Sequence, residues 1–223
     1  MHLVKAEFHG NPNIGLYVYA NNEYCIAGPD VPQKALAEIA EALKVKPIVL
    51  TIAGTSLWGI LCAGNSKCLL VPEIAFESEL SKLKKLGINY KVIETEFTAL
   101  GNNFLITENA GLANPLISQD ILDSASEALG VKLEAWKVAD LETPGAILVC
   151  NSKGGLAHVD ATQGELDKLK ELFKVPFQQG TANFGNPYLR SAIILNNSGL
   201  AIGSHSTGVE ITDADIAFGF LEV

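Results

Sequence analysis

Short apolar runs alternate with amphipathic segments along this chain. Residues 57–63 and 146–150 are apolar and short, which is typical of buried strands. Each such run leads through a turn rich in Asn and Gly into a second strand, an amphipathic helix and a β-rich return strand. The pattern predicts a unit of the form strand, turn, strand, helix, strand.

This unit recurs about every 44 residues along the chain of 223 residues. Period and length together predict five copies in one domain, residues 1–223, because a fixed period of this size indicates a repeat architecture. Two sets of residues mark the repeat: the Gly–Leu pairs that begin at Gly111, Gly155 and Gly199, and the upstream glycines Gly15, Gly59, Gly101 and Gly145.

Capping signals predict where the helices begin. Thr162 and Glu165 have the spacing of a capping box, and Gly87 and Gly130 are typical of residues that follow a helix. Asn and Gly in the hairpin turns are expected to adopt positive φ. The predicted helices begin near Pro32, Ser78, Ser118 and Thr162, with a shorter fifth over residues 212–218, and the return strands cover residues 47–51, 90–93, 131–136, 175–178 and 220–223.

A single ββαβ unit cannot bury both of its faces, so the units must stack. An open solenoid needs polar end units, but the terminal copies here are as apolar as the central ones. The sequence therefore predicts an α/β propeller, in which five ββαβ repeats close into a ring with pseudo-fivefold symmetry.

Composition narrows the classes of function. Hydrophobic residues make up 48% of the chain, which predicts a well-packed core, and the apolar runs are too short to span a membrane. Residues 1–8 have a strand pattern without a signal-peptide segment, so a cytoplasmic protein is expected. The net charge of −9, with Arg190 as the only arginine, disfavours binding to free DNA and suits a basic protein partner.

No catalytic, metal or cofactor site is predicted. Cys150, His158 and Glu210 could form a nucleophilic set, but Cys150 ends an apolar run, where burial would keep its thiol inert. The histidines lack metal-ligand spacing, and residues 151–155 lack the order of a phosphate-binding loop.

Small polar loops precede the first strand of each unit, and a ring would bring all five to one face. They contain no ionisable group suited to catalysis, so two interpretations stay open: simple turns or a docking surface. These loops cover residues 10–13, 54–56, 99–103, 143–145 and 180–183.

The loop sequences resemble the translation initiation factor 6 family, the ribosome anti-association factors. The resemblance spans all five repeats in order, through residues 10–15, 52–57, 63–66, 99–102, 154–158 and 180–183. It implies the five-bladed pentein fold. The chain ends at the fifth repeat without a further tail, which resembles the archaeal type. Residues 159–160 and 204–210 depart from the family pattern and are poor candidates for contacts.

The resemblance implies a binding function without catalysis. The protein would bind the large ribosomal subunit, against a ribosomal protein beside the sarcin–ricin loop and nearby rRNA, and would sterically exclude the small subunit. It implies a role in large-subunit biogenesis, release by another factor such as a translational GTPase, and action as a monomer without a cofactor.

The loop face carries the candidate contact residues. Gly101 and Asn102, with Leu100, match the central contact loop of the family. Tyr188 and Arg190 are candidate anchors, because aromatic and Arg side chains often dominate interfaces, although a structural role in the fifth unit is equally open. The surrounding candidates are Asn11, Asn13, Thr55, Ser56, Thr181 and Asn183.

The alternative is an enzyme of the same fold. Guanidine-modifying hydrolases and transferases of the pentein fold use a Cys and His site and place the nucleophile late in the chain. This sequence has no cysteine after Cys150, which argues against them.

Overall fold

Each of the five sequence units folds into a small three-stranded sheet. The computed structural model describes residues 2–221. In four of the five sheets, two antiparallel strands form a hairpin, and the chain returns through a helix to add a third, parallel strand. The predicted fold of five ββαβ units is confirmed.

The described elements have the following bounds. The strands are β1 (Leu3–Ala6), β2 (Val18–Ala20), β3 (Tyr24–Ala27), β4 (Lys46–Val49), β5 (Ala63–Gly64), β6 (Leu69–Pro72), β7 (Tyr90–Ile93), β8 (Phe104–Ile106), β9 (Ala110–Ala113), β10 (Lys132–Ala135), β11 (Val149–Cys150), β12 (Gly155–Ala157), β13 (Phe177–Gln179), β14 (Ile193–Leu195) and β15 (Leu200–Gly203). The helices are α1 (Gln33–Leu43), α2 (Trp58–Leu61), α3 (Glu77–Lys85), α4 (Leu100–Asn103), α5 (Gln119–Leu129), α6 (Pro144–Ile147), α7 (Gln163–Phe173), α8 (Leu189–Ala192) and α9 (Gly208–Ala217), with a 3-10 turn at Ile14–Leu16.

The N-terminal strand closes the ring. β1 pairs in parallel with β15, so that Leu3 lies opposite Leu200. Beside it, Nε2 of His2 is 2.7 Å from Oδ1 of Asp215. The predicted return strand at residues 220–223 is wrong where it is described: Phe220 and Leu221 form a bend, and residues 222–223 lie outside the described residues. The fifth sheet takes its third strand from the start of the chain, and this joins both ends of the sequence in one unit.

Each unit begins with a short helical turn that the sequence pattern did not predict. Residues 57–63 and 146–150 were predicted as strands, but α2 covers residues 58–61 and α6 covers residues 146–147, and only two-residue strands follow them. A short run made only of apolar residues has no polar side to reveal its period, so strand and helix cannot be distinguished by pattern.

Two other helix boundaries differ from prediction. α9 begins at Gly208 rather than at residue 212, because Thr207 and Glu210 form a capping box there. α3 begins at Glu77, directly after Phe76, and not at Ser78.

The short helical turns form a closed ring around the central axis. Each contacts the next in cyclic order, from Ile14–Leu16 through α2, α4, α6 and α8 back to the start. Glycine makes this approach feasible: a Cβ on Gly59 would collide with the backbone oxygen of Gly15, one on Gly101 with that of Gly59, and one on Gly145 with that of Gly101. The fifth position is not a glycine but Arg190, whose backbone oxygen a Cβ on Gly15 would meet.

The hydrophobic core is divided among the five junctions between neighbouring units. Each junction has one apolar cluster made by both neighbours, as where Tyr19 and Ile26 of the first unit meet Trp58 and Leu69 of the second. A unit therefore buries its apolar surface only when both neighbours are present. None of the helices within residues 2–221 is long and apolar enough to cross a membrane.

Buried asparagines in the hairpin turns connect each unit to the next. Asn21, Asn65, Asn151 and Asn196 use Oδ1 to accept hydrogen bonds of 2.9 to 3.1 Å from the amides two and three residues ahead. Their Nδ2 atoms donate to carbonyl oxygens of the following unit at 3.0 to 3.3 Å. None of the four adopts positive φ, so the predicted reason for asparagine in these turns is wrong: it is the Asx hydrogen bond.

The axial packing yields a stability prediction. Gly59→Ala forces a methyl group into a rigid backbone oxygen, and we expect it to lower the free energy of unfolding by about 3 kcal/mol or more. Gly164→Ala is the control, because a Cβ there meets no atom within 4 Å and the residue lies in α7. It should raise the same free energy by up to about 1 kcal/mol. Urea unfolding measures both; equal stability of the two variants would contradict the axial arrangement.

Candidate functional site

Five loops gather at one end of the ring, which we call the loop face. Each loop follows the third strand of one sheet and leads into the next short helical turn, so rotation about the axis places equivalent loops at the same end. Four of them close with a single β-bridge, at Phe8–Asn11, Ile52–Thr55, Val138–Leu141 and Ala182–Asn186.

Glutamates hold the tips of three loops in a left-handed conformation. Ala53, Ala139 and Phe184 have positive φ, which is unfavourable for residues other than glycine. The carboxylate of Glu79 accepts from the amide of Ala53 at 2.7 Å, and that of Glu165 accepts from the amide of Ala139 at 2.8 Å. Glu210 plays the same part in the fifth unit: it accepts from the amides of Phe184 at 3.2 Å and Gly185 at 2.8 Å.

These carboxylates also cap the helices α3, α7 and α9. Burial alone would raise the pKa of Glu79, Glu165 and Glu210, but the hydrogen bonds from backbone amides and threonine hydroxyls outweigh burial and lower it. The three glutamates are therefore ionised at neutral pH, and each fixes a loop tip to the helix of its own unit.

Three predicted contact residues meet at the axis. Asn102, Tyr188 and Arg190 line a depression of about 250 Å³ where the short helical turns converge, together with Leu16 and Thr143. We call this depression the axial mouth. The ring of Tyr188 is 47% exposed, and its centroid lies 6.0 Å from that of His158 in an edge-on contact.

The remaining predicted contact residues have structural partners. Nδ2 of Asn183 donates to Pro12 O at 2.9 Å and lies 3.4 Å from Oδ1 of Asn13, which joins the fifth unit to the first. Leu100 and Gly101 are buried, so they can only position Asn102. The other four make these hydrogen bonds: Asn11 to Tyr17 Oη at 3.1 Å, Thr55 to Ile52 O at 3.0 Å, Ser56 to Asp30 at 2.6 Å, and Thr181 to Glu210 at 2.8 Å.

Phe184 is a surface residue that the sequence analysis missed. Its side chain is 82% exposed at the tip of the fifth loop, although large apolar side chains are usually at least partly buried. An exposed aromatic ring on a rigid loop is a typical interface anchor. The signal in the sequence was an aromatic residue between Asn183 and Gly185, at a turn position that otherwise favours small residues.

The eIF-6 family model matches residues 3–216. The chain belongs to the eIF-6 family. Proteins named translation initiation factor 6 are similar to it over nearly its whole length. That of Staphylothermus marinus is 38% identical over 95% of both chains, and that of Pyrococcus abyssi is 34% identical over 99% of this chain and all of the relative. That of Sulfolobus acidocaldarius is 34% identical over 98% and 99%. These matches confirm the resemblance and its archaeal character, and they place this member of the eIF-6 family among translation factors.

The cysteines of this eIF-6 family member are poorly suited to nucleophilic catalysis. Cys25, Cys62 and Cys68 are buried, and Cys150 is half-buried with its thiol donating to Asn151 O at 3.2 Å. Burial raises the pKa of Cys25 to about 12 and raises those of Cys62 and Cys150 well above the ordinary value. The described residues contain no group of three or more metal-binding side chains. The relatives are named as translation initiation factors, which are not enzymes.

A labelling experiment tests the state of these thiols. We expect iodoacetamide at pH 7.5 to alkylate the native protein slowly at all four cysteines, because the thiolate form is disfavoured, and rapidly after unfolding. Mass spectrometry of peptides identifies each modified cysteine. Rapid alkylation of native Cys150 would instead support the guanidine-modifying enzyme.

The glutamate contacts predict a pH-dependent contribution to stability. A lowered pKa in the folded state stabilises the fold above the unfolded-state pKa, and this contribution is lost as pH falls through the folded-state value. We expect Glu210→Gln to lower the free energy of unfolding at pH 7 by about 1.5–3 kcal/mol. The deficit relative to wild type should shrink below about pH 4.5.

Urea titrations from pH 7 to pH 3 measure this difference. Glu171→Gln is the matched control, because Glu171 is exposed on α7. A deficit for Glu210→Gln that stays constant with pH would contradict a role for the ionised carboxylate.

Proposed function

We propose that this protein binds the large ribosomal subunit through the loop face and prevents its association with the small subunit. The observation that carries the proposal is the match to the eIF-6 family over residues 3–216, together with relatives named translation initiation factor 6. The general role is that of a translation factor. The proposal adds the subunit that the protein binds and a steric mechanism.

The loop face supports a docking role. Three of its five tips are fixed by Glu79, Glu165 and Glu210, so binding requires little ordering of this part of the surface. Asn102 and Tyr188 at the axial mouth, with Phe184 at the edge, provide polar and aromatic contacts. A steric block needs only an interface of ordinary size, about 1,200–2,000 Å² in total.

The charge of the protein suits a basic partner. A net charge of −9 would repel rRNA phosphates and attract a basic ribosomal protein, so the main contact in this proposal is the ribosomal protein beside the sarcin–ricin loop. Contacts with nearby rRNA are then secondary. The protein acts in the cytoplasm as a monomer, takes part in large-subunit biogenesis, and is released by another factor such as a translational GTPase.

A charge introduced at the axial mouth tests the contact. Asn102→Arg places a long cation where Asn102 is half-buried, and we expect at least a tenfold loss of affinity for the large subunit with little change in melting temperature. Co-sedimentation with purified large and small subunits, at magnesium concentrations that allow joining, measures binding and the fraction of joined ribosomes.

Asn109→Arg is the matched control. Asn109 is exposed in a hairpin turn at the end of the ring opposite the loop face, so the same charge change there should leave binding intact. Equal losses for both variants would contradict the assignment of the loop face. A fall in stability that accounts for the lost binding would show that Asn102 is structural, and wild-type protein that sediments with neither subunit would overturn the function.

A further inference from the structure

The ring of short helical turns contains one residue that breaks its pattern. Gly15, Gly59, Gly101 and Gly145 occupy four equivalent axial positions, and Arg190 occupies the fifth, 45 residues after Gly145. Because the other four positions have no side chain, the axis has room for this one. Arg190 lines both the axial mouth and a second, deeper cavity of about 50 Å³, which we call the inner cavity.

The guanidinium group of Arg190 has no carboxylate partner in the described chain. Its Nε is sealed from solvent without a hydrogen-bond partner, and no Asp or Glu within residues 2–221 lies within ion-pairing distance of it. Burial lowers the pKa of Arg190, but an arginine keeps its charge at neutral pH. Arg190 as a whole is half-buried, but its Nε is a charged donor held out of water with neither an acceptor nor a counter-charge, which is unfavourable.

A second unpartnered donor faces the same inner cavity. Tyr19 is 1% exposed, and its hydroxyl is sealed from solvent and lacks a hydrogen-bond partner among the described residues. No acidic residue contributes to the wall of this cavity, and Arg190 is the only charged residue that lines it. Cys150 also lines the cavity, but its thiol donates to Asn151 O. The protein thus directs a cation and a hydroxyl donor to one small space and supplies no anionic acceptor there.

We propose that the inner cavity binds a small monovalent inorganic anion of halide size, held between the guanidinium of Arg190 and the hydroxyl of Tyr19. A water molecule could accept these hydrogen bonds but would leave the positive charge uncompensated. The volume of about 50 Å³ is enough for one or two species the size of water, which has about 30 Å³ in the liquid. The anion links the fifth unit to the first, because Arg190 and Tyr19 belong to these two units.

Bromide is the probe for this site. Crystals of the full-length protein soaked in sodium bromide should give an anomalous peak in the inner cavity, within about 3.5 Å of both Arg190 and Tyr19. Replacing chloride by isethionate at constant ionic strength, an anion too large for the cavity, should lower the melting temperature by a few degrees, since a ligand that binds only the folded state raises it.

Two variants make the test specific. Arg190→Gly restores the glycine of the other four units and should abolish both the bromide peak and the dependence on anion identity, and Tyr19→Phe should weaken bromide binding. Lys84→Ala removes an exposed cation from α3 and should retain both effects. The bromide peak and the melting temperatures of the wild-type protein still test the proposal if a variant does not fold. Absence of the peak, its persistence in Arg190→Gly, or a melting temperature that follows ionic strength alone would overturn the proposal.

Discussion

The close approach of five backbone segments at the axis is the constraint on which the rest of the structure depends. At four of the five positions, the backbone oxygen of a neighbouring turn lies where a Cβ would be, so these four positions must be glycine. This approach sets the distance between neighbouring units, and that distance determines how the apolar clusters fill each junction. The buried asparagines then fix the same neighbours to one another at the other end of the strands.

Closure of the ring imposes the same close packing on the units at both ends of the chain. The fifth sheet contains β14 and β15 from the end of the sequence and β1 from its beginning, so no unit has an unpaired neighbour. Strands from opposite ends of the chain form contacts of very long sequence separation, which are slow to form because the entropy of loop closure must be overcome first. Three departures from the equivalence of the units occur together in the fifth unit: β1, Arg190 and the long loop tip with Phe184.

Much of this fold follows from the sequence, and the failures have identifiable physical causes. The period, the hairpin turns and the four long helices could be predicted because each has an amphipathic pattern or a cap that is visible locally. The short helices could not, since α2 and α6 consist only of apolar residues and have no polar face. The pairing of β1 with β15 depends on ring closure, which leaves no local signal. The sequence predicted the five loops as a cluster, but the hydrogen-bond partners of Asn13 and Ser56 lie in neighbouring units and depend on junction geometry.

The proposed steric role requires a surface that keeps its shape when the partner binds. The glutamates that cap three of the long helices also hold three of the loop tips, so the loop face is tied to helices that pack in the junctions between units. Left-handed tips such as those at Ala53 and Phe184 are unfavourable alone and persist because these hydrogen bonds overdetermine them. The rigidity of the loop face thus follows from closure of the ring, and this closure depends on the glycines at the axis. The fifth axial position, which lacks a glycine, places a charged side chain at the centre of the loop face. A substitution there changes both the packing at the axis and the local charge.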